Sequence, residues 1–144
     1  MRKALFLLPL ALVATACHKK PAELYVDNAV VNLSPVRGNP SVAYFTVHGG
    51  DTDTKLIQVS SPVAIKAEMH ESTSQDGVMS MQQVREVDIP AKSEVKFAPG
   101  GKHVMFWNVN PGITAGKAMT LIFTFADGNE IQVDAPTKAM GAAH

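Results

Sequence analysis

Along the chain, apolar side chains recur at every second residue in short runs, and each run ends in a turn signal. The clearest is 63–70, where Val63, Ile65, Ala67 and Met69 form an apolar set and Ala64, Lys66, Glu68 and His70 a mixed one. That is the period of a strand buried on one face, and it turns His70 away from the core at a strand end. The same pattern predicts strands over 23–33, 42–48, 56–59, 78–84, 103–107, 119–125 and 130–133, with short extended pieces at 86–89 and 94–97: eight strands, or nine with the two pieces around Pro90 counted as one. Gly, Pro and Asp-rich turns at 34–40, 49–51, 76–77, 99–101 and 127–129 separate them. No stretch beyond the N-terminus has helical periodicity, and there is no internal repeat. So many short strands in one small chain predict an all-β fold, an antiparallel Greek-key β-sandwich over 23–135, followed by a flexible tail over 136–144.

The first 16 residues stand apart. Met1-Arg2-Lys3 is followed by an apolar run that ends in Ala14-Thr15-Ala16-Cys17. This is the pattern of an export signal, too short to span a bilayer comfortably. The small residues before the chain's one cysteine resemble a bacterial lipoprotein processing site, with cleavage before Cys17, a lipid on its thiol and residues 17–22 as a tether; Ala14 stands where such sites usually carry a larger aliphatic residue, and plain secretion is the alternative. His18 rather than Asp after the cysteine points to outer-membrane sorting in a Gram-negative cell. Removing Arg2 and Lys3 leaves 11 basic against 13 acidic side chains, a net charge of −2 with histidines neutral. Such a surface has no electrostatic grip on nucleic acid. A mature chain without a spare thiol holds itself by its core and offers no cysteine chemistry.

Composition changes the picture in one stretch, which reads His70-Glu71-Ser72-Thr73-Ser74-Gln75-Asp76-Gly77-Val78-Met79-Ser80-Met81 and later His103-Val104-Met105. Ten residues separate His70 from Met81, 21 separate Met81 from His103, and one separates His103 from Met105. The set resembles the H-x10-M-x21-H-x-M signature of the periplasmic copper chaperone family PCu(A)C. The likeness extends over nearly the whole mature chain, including 60–64 before the first of these strands and 99–103 before the last. It implies a cupredoxin-like sandwich and one Cu(I) per chain, held by His70, Met81, His103 and Met105.

The donor chemistry agrees with that implication. Thioether sulfur is soft and neutral and suits Cu(I), while imidazole suits copper in either oxidation state. Zinc would draw in thiolates or carboxylates, and calcium or magnesium oxygen ligands. A blue-copper electron carrier needs a thiolate, and none is free. A period of two puts His103 and Met105 on one strand face. The remaining candidates have plainer readings: Met79 shares a face with Met81 and could be an auxiliary donor, though packing is the expected role; Met69 faces the core; His48 is a solvated turn residue; Trp107 belongs to the core rather than to a cation–π pair; and His18, Met140 and His144 lie in tether and tail.

By resemblance, the chain is a monomeric, exported, lipid-anchored carrier. It would bring Cu(I) toward the Cu(A) site of respiratory cytochrome oxidase, with the oxidase copper-site subunit and a Sco-type thioredoxin-fold protein as partners. Its membrane contact would be through the lipid only. The alternative is periplasmic copper storage without a dedicated recipient. An enzyme is disfavoured, because no second histidine cluster and no general base accompany the set.

Overall fold

A computed structural model describes residues 19–141. The signal, Cys17, His18 and His144 lie outside the described residues. Ten strands are formed: β1 Tyr25–Leu33, β2 Ser41–His48, β3 Thr54–Ser60, β4 Ala64–Gln75, β5 Val78–Gln83, β6 Val87–Ile89, β7 Glu94–Phe97, β8 Lys102–Val109, β9 Ala118–Phe125 and β10 Glu130–Ala139. No helix occurs among the described residues.

One layer runs β5-β4-β8-β2-β1, with β7 also paired to β2. The other runs β10-β9-β3-β6. The pairs are antiparallel except β1 with β10, which join the layers in parallel through Val31–Thr137 and Leu33–Ala139. The chain crosses between layers at β2–β3, β3–β4, β5–β6, β6–β7 and β8–β9, as a Greek-key sandwich requires.

Alternate residues of the two layers supply the core: Ala43, Phe45, Val47, Met69, Val104 and Phe106 from one, Leu56, Val59, Leu121, Phe123 and Phe125 from the other. Phe45 meets Phe123 edge-on at 4.7 Å and stacks on Phe97 at 4.3 Å. Such contacts add about 0.5–1.5 kcal/mol each beyond area burial. Gly49 must be glycine for steric reasons, since a Cβ there would overlap the Pro90 carbonyl.

Three sequence expectations need correction. First, β4 does not end at His70 but continues to Gln75, because it forms a hairpin with β5 whose tip, Asp76–Gly77, has positive φ at both residues (52° and 76°). The hairpin end projects beyond the core, so Ser72, Thr73 and Ser74 show no apolar alternation. Second, the tail begins later. Residues 136–139 belong to β10, where Thr137 is buried and its hydroxyl bonds the Thr114 and Lys117 carbonyls. Third, Ile65 is 82% exposed, although the alternation assigned it to the core.

Candidate metal centre

The β5-β4-β8 edge carries the candidate donors. His70 and His103 stand directly opposite each other in the β4–β8 ladder, with ring centroids 5.9 Å apart and planes 22° from parallel. Met105, half-buried, follows His103 on the same face. On β5, Met81 pairs with Ser72. Strand β4 lies between β5 and β8, yet His103 Nε2 is 3.1 Å from Met81 Sδ. The two side chains meet over β4, where the residue opposite Met81 is a small serine. The structure thus brings together His70, Met81 and His103, and sets Met105 beside them on one sheet face.

Local hydrogen bonds fix which imidazole atoms are free. His103 Nδ1 donates to the Gly101 carbonyl at 3.0 Å. The same carbonyl accepts the Ser72 amide at 3.0 Å, so the 99–101 turn ties β4 to β8. A carbonyl accepts only, so the proton of neutral His103 sits on Nδ1. Its Nε2 lone pair then faces the Met81 sulfur, two donors with no proton between them. His103 is 8% exposed, and the backbone fixes its ring as an outer-shell partner fixes a metal-ligating histidine.

His70 is held the opposite way. Its Nε2 is 3.0 Å from Glu68 Oε2, and Glu68 Oε1 is 2.7 Å from Lys66 Nζ. The Lys66 ammonium, and secondly His70, hold the Glu68 carboxyl below its ordinary 4.5. The ionised carboxylate accepts, so His70 carries its proton on Nε2 and offers Nδ1. Lys66 Nζ in turn sits 4.6 Å over the Trp107 ring, which lies 6.2 Å from that of His70. Lys102 pairs with Glu71 at 3.0 Å. Charges at this edge are paired, Lys66 with Glu68 and Lys102 with Glu71.

Several sequence readings change here. Trp107 is on the donor face and is a cation–π partner, because His103, Met105 and Trp107 alternate with the core residues Val104 and Phe106. Met79 does not pack; it is 62% exposed. Met69 is buried, as expected. His48 is not a solvated turn residue: it closes β2, stacks on Tyr25 at 4.1 Å and bonds Asp27 Oδ1 at 2.9 Å. Met140 is exposed just past β10 and outside the cluster. Glu68, Lys66 and Gly101 were not singled out in the sequence. Their signal was the shared mixed face of Lys66, Glu68 and His70.

Among the described residues no three His, Cys, Asp or Glu side chains converge on a metal position. What this edge does bring together is the Met81 thioether and two imidazoles, a donor set that fits a soft monovalent cation.

The fold is that of known copper domains. The copper-bound PCuAC domain from PmoF2 superposes with a TM-score of 0.64 at 22% identity, over 81% of this chain and 98% of that one. The Cu(I)-bound DR1885 from Deinococcus radiodurans gives 0.67 at 23% identity, over 85% and 83%. At such identities the likeness is one of fold. A curated relative, "Putative lipoprotein Lxx21020" of Leifsonia xyli subsp. xyli, is 29% identical over 90 residues, which span 62% of this chain and 54% of that protein. The chain thus matches only about half the length of that relative. The model of the family described as "Putative lipoprotein LpqE-like" matches residues 24–137, nearly the whole sandwich, and the chain belongs to this LpqE-like family.

Proposed function

We propose that this protein is an extracytoplasmic copper chaperone that binds one Cu(I) through His70 Nδ1, His103 Nε2, Met81 Sδ and Met105 Sδ. The observation that carries the reading is the 3.1 Å approach of His103 Nε2 to the Met81 thioether sulfur beside a second histidine. Thioethers and neutral imidazoles are the donor set for Cu(I), and the fold is shared with copper-bound PCuAC domains.

The chain's residues would divide the work. Gly101 and Glu68 fix the two rings, and Lys66 keeps Glu68 ionised. The half-exposed Met81 leaves the ion within reach of a partner's donors. Four neutral ligands hold Cu(I) without redox change and release it by ligand exchange, which suits a carrier better than an enzyme. The recipient is the Cu(A)-site subunit of respiratory cytochrome oxidase, with a Sco-type protein as co-chaperone. The carrier is a monomer tethered through lipid on Cys17, in keeping with the lipoprotein family.

Mixing the Cu(I)-loaded protein with apo oxidase copper-site subunit tests this. Transfer within minutes is expected. Retention of copper by the loaded protein would point instead to storage, and turnover of oxygen or superoxide to an enzyme.

A further inference from the structure

Met79 has no place in the four-donor set, and its position calls for one. Strand β5 is the free edge of its layer, and Met79 and Met81 alternate on it, so they share the face that carries His70 and His103. Alternate residues of a strand stand about 6.5–7 Å apart. Each methionine has three rotatable bonds and an unbranched stem. The β4 residues opposite them are Ser72 and Ser74, too small to confine either thioether. Both sulfurs can therefore reach a common ion. Met79 lies farther from the two histidines, nearer the hairpin tip, and is the more exposed at 62% against 52%.

We infer that Met79 is a further Cu(I) ligand, bonded while the ion is loaded or released and not while it is held. The inference rests on the copper reading above. The step is a ligand substitution: a bond from Met79 Sδ to Cu(I) forms as the bond from Met81 Sδ breaks. Copper keeps its oxidation state, no electron moves, and no proton is needed because a thioether carries none. A thioether, thiolate or imidazole of the recipient then displaces Met79 Sδ in a second substitution, so that one bond forms for each that breaks. A ligand used only in passing lowers the barrier equally in both directions and leaves the resting affinity alone.

The test compares the parent with Met79→Leu, Met79→His and Met81→Leu. Equilibrium competition against a Cu(I) chelator reads Kd, and stopped-flow mixing with the same chelator reads loading and release. Met79→Leu keeps size and apolarity; it should leave Kd unchanged and slow both rates several-fold by the same factor. Met79→His supplies another Cu(I) donor and should restore the rates. Met81→Leu should weaken Kd. Parental rates in Met79→Leu would overturn the inference and leave the copper reading intact. So would a Kd weakened as far as in Met81→Leu, which would make Met79 a resident ligand. A parent that binds no Cu(I) would overturn the copper reading itself.

Discussion

His103 Nε2 faces the sulfur of Met81 across 3.1 Å, and on the intervening strand the residue opposite Met81 is the small Ser72. If this pair is half of a Cu(I) site, removing the sulfur while keeping its bulk should cost affinity and nothing else. Met81→Leu or Met105→Leu should lower Cu(I) affinity by at least the roughly 10–100-fold that loss of an outer-shell partner costs. Thermal unfolding should be unchanged for Met81, whose side chain is half-exposed. A chelator competition titration and a melting curve check both. His48→Ala, outside the cluster, should bind like the parent.

Protons compete for imidazole and not for thioether. Cu(I) affinity of the parent should therefore fall as the pH drops from about 8 to about 5, the range in which histidines ordinarily change charge. The same fall should persist in Met81→Leu. Replacing both His70 and His103 by Ala should flatten it, leaving a weak site of thioethers. Competition titrations at several pH values decide the matter.

Glu68 links Lys66 to His70, and its replacement by Gln should act in two ways. Copper affinity should fall by about 10–100-fold, because His70 loses the anion that fixes its ring. Stability should change in acid. A carboxyl held below 4.5 in the folded state stabilises the fold above that value, and this is lost as pH falls through the lowered one. The parent should lose thermal stability below about pH 4.5, and Glu68→Gln should lose less. Melting curves from pH 7 downward measure the difference.

Gly49 tests the fold. Ala at this position brings a Cβ into the Pro90 carbonyl, where backbone must move and no flexible side chain can give way. Overpacking of this kind costs about 1–3 kcal/mol, measurable by urea unfolding. Gly101, where a Cβ would meet only the Ala98 carbonyl at 3.6 Å, an ordinary contact, is the control for crowding.

Lipid attachment at Cys17 predicts that Cys17→Ser abolishes lipid labelling and releases the protein from membranes. Fractionation with labelled fatty acid checks this.

Much of this architecture was legible in the sequence, for reasons that also explain the gaps. Met69, Val104 and Phe106 followed the period of two because a packed layer faces them. The same period placed His103 with Met105. It also placed Trp107 there, and only the habit of assigning tryptophan to cores hid it. The hairpin turn at Asp76–Gly77 was readable because both positions need positive φ. The extent of β4 was not, since beyond His70 both faces of the hairpin meet solvent and no apolar alternation is required. Likewise 136–139 reads as tail, with Pro136 and Lys138 in it, until β1 is seen to supply a parallel partner. The meeting of Met81 with His103 depends on strand order, β5-β4-β8, which no local pattern encodes.

The central claim is that imidazole nitrogen and thioether sulfur share one copper ion, and X-ray absorption at the copper edge of the protein loaded with one equivalent of Cu(I) tests it most directly. The expected complex is nearly colourless, with nitrogen and sulfur neighbours together in the inner shell, and Met81→Leu should reduce the sulfur contribution. A shell of nitrogen and oxygen alone, or an intense blue charge-transfer band, would contradict the account.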